Sequence, residues 1–263
     1  MVINTCSSLL NTSNINTDLV NYLSSDLINE LYFKPKNISI DKINNKINDI
    51  DYISKVNNTI NYYKNIDLEN VISQKISEFE EDINYKLNNY KIYVIIGLDT
   101  STIYSIKYNG EDVTVLLLES TNGDNDYLNM LLAHEFTHFV RREVFKRDIF
   151  ENSIGERFIV EGIGCNYSRE IVTGKDDYKY CIVGKDVFEW VKNNINKLEE
   201  FMKGKLDSNE LMKVYFSMYI DTLKTGLPAR CGYVYGYLIV KEYLEKNNLK
   251  VKDIITKEWF DLI

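Results

Sequence analysis

Histidine is nearly missing from this chain, with two among 263 residues, and proline is as scarce, with two beside 12 glycines. So few breakers favour long helices. No run approaches eighteen unbroken apolar residues, which argues against insertion into a membrane as a spanning helix. The first twenty residues lack a basic start followed by an apolar stretch, so no secretory signal is read and a cytoplasmic location is expected. No long block of lysine and arginine occurs and the formal net charge is -8, which excludes a reader of nucleic-acid backbone and a protein drawn to anionic lipid. The four cysteines, Cys6, Cys165, Cys181 and Cys231, are too scattered for a zinc knuckle or a disulfide scaffold and read as free thiols in a reducing compartment.

The two histidines are both inside His134-Glu135-Phe136-Thr137-His138, an HExxH pentapeptide in an apolar stretch that reads as a buried helix. Residues four apart on a helix share one face, so both imidazoles reach one tetrahedral Zn²⁺ while Glu135 stands beside it as a base for a water proton. Chance placement of two histidines around a glutamate in this way is on the order of one in a thousand. The bland alternative is a pair of hydrogen-bonded helix-face histidines, which leaves the burial of Glu135 unexplained. One zinc ion is the expected cofactor, and a peptide or protein the expected partner.

A catalytic tetrahedral site takes three protein ligands and a solvent molecule. Glu161 is the candidate third ligand, because it lies among Phe158, Ile159, Val160 and Ile163, where a carboxylate wants a cation. Gly162 and Gly164 would let its helix approach the first closely. The alternative for Glu161 is an ordinary carboxylate paired with an arginine, and Glu143, Glu151 and Glu156 are fallback ligands. Cys165 reads as a small buried thiol.

The remaining chain supports an α+β reading with three parts: a helical N-terminal region over 1–89, a small sheet with the HExxH helix over 90–142, and a helical C-terminal subdomain over 143–263. Four-residue spacing of Leu19, Leu23, Leu27 and Leu31 and the isoleucine pattern over 40–63 predict amphipathic helices, followed by another over 68–87. Strands are predicted over 91–98, 103–108 and 113–119, the last two joined as a hairpin at Asn109-Gly110. Arg141, Arg142, Lys146 and Arg147 read as the solvated end of the HExxH helix, with a positive rim for substrate contacts as the alternative. Further helices are expected over 155–171, 187–206, 209–223, 230–247 and 251–262. Phe188, Trp190, Tyr215, Phe216 and Tyr219 read as core in preference to a substrate pocket.

His134, Glu135 and His138 followed by Glu161 resemble the gluzincin branch of zinc metallopeptidases, whose zincin fold sets a small mixed sheet beside the active-site helix. The Glu161-Gly162-Ile163-Gly164 stretch and the segment from Arg230 to Tyr237 also resemble a bacterial group of predicted zinc-dependent proteases. The gluzincin resemblance implies His134, His138 and Glu161 as ligands and Glu135 as general base. Cys165 stands where thermolysin-like relatives carry an aspartate that braces a zinc histidine. The oxyanion donor is expected from Arg230, Tyr233 or Tyr237, which share a helix face at three- and four-residue spacing. The expected function is metal-assisted peptide hydrolysis, endopeptidase in preference to exopeptidase. The alternatives are hydrolysis of a non-peptide amide and a catalytically silent zincin-like interaction protein.

Overall fold

The computed structural model of the chain describes residues 1–11, 15–99, 102–216 and 226–262. It is mostly helical with one mixed four-stranded sheet, an α+β protein. The chain divides into two compact units, Met1–Ser77 with Asn89–Leu131, and Glu78–Asn88 with Leu132–Ile263.

The first unit holds the sheet, made of β1 (Val2–Asn4), β2 (Ile92–Ile95), β3 (Ile103–Tyr108) and β4 (Glu111–Leu117) in the order β1-β2-β4-β3. β2 runs parallel to β1 and β4, and β3 pairs antiparallel with β4, Tyr108 opposite Glu111. Asn109 (φ 51°) and Gly110 (φ 81°) close that hairpin with left-handed backbone, which suits the strand twist. β2 is buried along its whole length and β4 from Val113 onward, which accounts for their unbroken apolar runs. The N-terminal region was expected to be helical, yet its first residues form β1, a strand of three residues, too short for any periodicity to register.

β2 is shorter than the predicted 91–98, because side chains take over the backbone that follows it. Tyr22 accepts from Ile96 N at 3.2 Å, Tyr32 accepts from Leu98 N at 2.9 Å, and Tyr52 donates to Gly97 O. Glu119 accepts from Gly97 N at 3.0 Å and Asp99 N at 3.1 Å. The predicted helix over 40–63 is two, Ile40–Ile47 and α1 (Ile50–Tyr63). Asp49 separates them by capping α1, its carboxylate accepting from Asp51 N and Tyr52 N. The next helix, α2 (Leu68–Ile83), buries Leu68, Ile72, Ile76, Phe79 and Ile83 and stops at Asn84, whose φ is 56°.

The long helix α3 (Asn125–Phe145) carries the pentapeptide. In the second unit it is followed by α4 (Ile154–Ile171), α5 (Lys185–Asn193), α6 (Ile195–Met202) and α7 (Cys231–Asn247). Asn194 interrupts the helix predicted over 187–206, and 251–262 forms two short 3-10 turns with a non-helical link. Of the stretch predicted over 209–223, Met212–Phe216 is helical, while 217–223, with Tyr219, lie outside the described residues. Phe158, Cys165, Cys181, Phe188, Val191, Tyr215, Val234 and Tyr237 share one core cluster. Within it α4 and α7 meet backbone to backbone. A Cβ on Gly162 would stand 2.2 Å from Gly236 O, and one on Gly236 2.2 Å from Phe158 O.

Within the basic run after the pentapeptide Lys146 is exposed, as expected, but Arg141 and Arg147 are not. Arg141 is fully buried and donates to Ile255 O and Lys257 O, fastening the C-terminal segment. Arg147 holds buried Glu156 at 2.8 Å and Glu258 at 2.6 Å. Charge alone marks such residues as exposed; here each has a buried acceptor to satisfy. Among the described residues no helix is long and apolar enough to cross a membrane.

Candidate metal centre

α3 stacks His134 and His138 one turn apart, ring centroids 4.7 Å from each other and planes at 89°. Each ring aims Nε2 at the same oxygen of Glu161 on α4: Oε2 lies 3.0 Å from His134 and 3.5 Å from His138. The three side chains are buried, and their donor atoms lie within 4.8 Å of one another. Two imidazoles and a carboxylate converging in a buried spot fit a zinc ion with one coordination position left for solvent. Among the described residues this is the group of His, Cys, Asp and Glu able to hold a metal ion.

Local structure explains the convergence. Ser153 caps α4 by accepting from Glu156 N at 3.1 Å, which starts the helix so that Glu161 comes round two turns later. Gly164 then lies against the His134 ring, where a Cβ would stand 2.8 Å from Nδ1. Of the two glycines expected to bring α4 close to α3, Gly164 serves that contact, and Gly162 serves α7 instead.

The other oxygen of Glu161 is already taken. Arg157, one turn earlier on α4, holds Oε1 at 2.6 Å. The arginine-pair reading of Glu161 is therefore met on Oε1, while Oε2 faces the two imidazoles. Arg157 lies 4.2 Å over the Phe150 ring and also donates to the Tyr233 hydroxyl. Burial alone would raise the Glu161 carboxyl, but Arg157 and the two imidazoles outweigh it and hold it well below its ordinary value. Burial would likewise lower His134, yet the Cys165 and Glu161 partners raise it to about 10. His138, dominated by burial, is lowered, and its Nδ1 has no hydrogen-bond partner.

Glu135, 4% exposed, accepts from Arg142 Nη2 at 3.0 Å. Arg142 and Arg157 both lie over Phe150, whose ring also meets His138 edge-on at 5.0 Å. Sequence reasoning missed Arg142, Arg157 and Phe150 in these roles. The four-residue spacing of Arg157 and Glu161 was the one signal available.

The three candidate oxyanion donors separate. Tyr233 is brought to the centre through Arg157, and burial followed by the Glu161 charge raises its hydroxyl. Arg230, left-handed (φ 61°) at the start of α7, lies 4.5 Å over the Tyr233 ring. Tyr237 is not brought to the triad; it packs near Phe188, with Asp177 and Cys181 as its charged and polar neighbours. The fallback ligands stand elsewhere: Glu143 accepts from Asn88, Glu156 from Arg147 and Asn152, and Glu151 is exposed.

Residues 69–262 match the family described as Predicted Zn-dependent protease (DUF2268). The chain belongs to that family. The matched span contains the whole buried triad, so membership and donor geometry point to the same metal. No curated protein and no solved structure matches the chain.

Proposed function

We propose that this member of the family hydrolyses peptide bonds with a single zinc ion, in the manner of a gluzincin on a zincin-like fold. His134 and His138 would hold the ion through Nε2 and Glu161 through Oε2. The observation that carries the reading is the convergence of both imidazoles on one buried carboxylate oxygen, with Glu135, next to His134 in the chain, held by Arg142. A purely structural site has no use for Glu135 in that place.

Bound zinc supplies Lewis acidity, which makes a water nucleophilic at neutral pH and polarises a peptide carbonyl. Glu135 takes the water proton and returns it to the departing amine. Arg142 donates to the Glu135 carboxylate and limits its rotation. The Tyr233 hydroxyl, oriented by the Arg157 hydrogen bond, is the donor for the developing oxyanion, and Arg230 packs on its ring. Endopeptidase action is preferred over exopeptidase action.

The test is a library of internally quenched peptides with blocked termini, offered to zinc-loaded protein and to Glu135→Gln. Cleavage by the wild type, a loss of about 10²–10⁴ in the variant, and equal zinc content in both are expected. A zinc-loaded wild type that cuts no peptide, or a variant that cuts equally well, overturns the reading. Trimming of unblocked peptides alone overturns the endopeptidase preference.

A further inference from the structure

The back of the His134 ring has a feature for which hydrolysis has no direct use. Cys165 Sγ lies 3.9 Å from His134 Nδ1, on the side opposite Glu161. Cys165 is fully buried, and the thiol of Cys181, also fully buried, is within hydrogen-bonding reach of it. Neither cysteine is in a disulfide. The three groups form a succession of contacts, Cys181 to Cys165 to His134.

The surroundings fix that succession in place. Gly164 closes over the His134 ring, so the ring has little room to turn. Cys181 is followed by Ile182 with φ 52°, a left-handed conformation that is a genuine outlier for a β-branched residue. Such strain persists only where the surroundings over-determine it. Tyr180 supplies part of that restraint, donating to Val172 O at 2.7 Å and accepting from Lys175 N at 3.0 Å. The turn that carries Cys181 is thereby tied to the end of α4.

We propose that the Cys165–Cys181 thiol pair is the positioning device of the metal centre, with the Cys165 sulfur accepting the Nδ1 hydrogen of His134 and the Cys181 S–H donating to that sulfur. An imidazole that gives its Nε2 lone pair to a cation carries its hydrogen on Nδ1, and a buried Nδ1–H needs an acceptor. The Cys181 S–H takes one lone pair of the Cys165 sulfur and so holds that side chain with another lone pair facing Nδ1, and this is the work of Cys181. The thiols hold the ring's tautomer and orientation and touch neither substrate nor metal. The inference rests on His134 as a zinc ligand and is indifferent to whether the substrate is a peptide.

The chain's two imidazoles make a direct test accessible. Tag-free protein labelled with ¹⁵N shows two histidine rings, and a long-range ¹H–¹⁵N spectrum reads their tautomers with zinc bound and with zinc removed. Zinc affinity is measured in parallel by competition with a chelator. Cys165→Ala is expected to shift the His134 Nδ1 signal, leave His138 largely unmoved, and weaken zinc binding about 10–100-fold. Cys165→Ser, which keeps an acceptor, restores most of both. Cys181→Ala produces a smaller shift in the same direction, and Cys231→Ala, a buried thiol in the same core, produces none.

The proposal is overturned if Cys165→Ala leaves the His134 signal and the affinity unchanged, or if Ala and Ser weaken zinc binding equally with the ring signals unmoved, as a packing defect would. If Cys165→Ala does not fold, Cys165→Ser and Cys181→Ala decide: His134 signals identical to wild type in both would overturn it. A wild type that binds no zinc refutes the metal reading and not the contact. The metal-free spectrum then decides, and a His134 signal unmoved by Cys165→Ala or Cys165→Ser refutes the contact as well.

Discussion

Arg157 holds Glu161 by Oε1 while both imidazoles face Oε2, so the carboxylate is divided between a guanidinium and the metal centre. The division leaves one oxygen for a metal and fixes the plane of the carboxylate. Arg157→Ala is expected to weaken zinc affinity about 10–100-fold in a chelator titration, with Arg157→Lys between the two because a point charge orients less well than a fork. Unchanged affinity in the alanine variant would mean that Glu161 needs no brace.

The Arg142 contact with Glu135 makes a different prediction, since it bears on the proposed base and not on the proposed ligands. Arg142→Met should lower kcat on the order of 10-fold while zinc content stays at the wild-type level. A fall in zinc content instead would place Arg142 in support of the metal.

Metal removal should be visible in stability as well as in activity. A ligand present at a thousand times its Kd stabilises the native state by about 4 kcal/mol, so chelation is expected to lower Tm and added zinc to restore it. In His134→Ala, His138→Ala and Glu161→Ala that zinc-dependent difference should vanish. A difference that survives in all three would locate the metal elsewhere.

Gly162→Ala tests the backbone contact between α4 and α7. The added methyl would stand 2.2 Å from Gly236 O, and alanine has no rotamer that moves it away from that carbonyl. Overpacking of this kind costs about 1–3 kcal/mol, measured as the loss in unfolding free energy. Zinc affinity should fall with it, because Glu161 is the preceding residue.

In the sheet unit, burial raises Glu119 to about 7, partly offset by the N–H groups of Gly97 and Asp99. A carboxyl whose folded value is raised contributes fully below its unfolded value near 4.5 and loses that contribution as pH rises through the folded one. The stability of wild type relative to Glu119→Gln should therefore decline by on the order of 3 kcal/mol as pH rises from about 4.5 past 7. A flat difference across that window would mean that Glu119 folds already ionised.

The pentapeptide and Glu161 were legible because each carries a signal independent of the fold: a four-residue spacing of a rare residue, and a carboxylate with no polar neighbours in sequence. Arg142 was not, since a cation in a helix says nothing about which acceptor the folded chain brings to it, and Arg157 offered only its four-residue spacing from Glu161. The same limit applies to Arg141, whose charge read as solvent exposure and whose acceptors are carbonyls more than a hundred residues away. The hairpin at Asn109-Gly110 was legible from the turn chemistry alone. The break at Asp49 was overlooked, because Ile47 and Ile50 keep the helical spacing across it while the cap acts through backbone N–H groups that periodicity does not register. Among twenty tyrosines, spacing could not separate Tyr233 from Tyr237; one turn of α7 puts them in different company.

The contact of Gly162 with Gly236 ties the third donor to a helix that begins seventy residues later. Where two main chains touch, there is no slack to absorb a slip in register, so an insertion within either helix would be felt at Glu161. The tolerance of this centre to drift during evolution is set by two hydrogen atoms standing where side chains would otherwise be, as much as by the donors themselves.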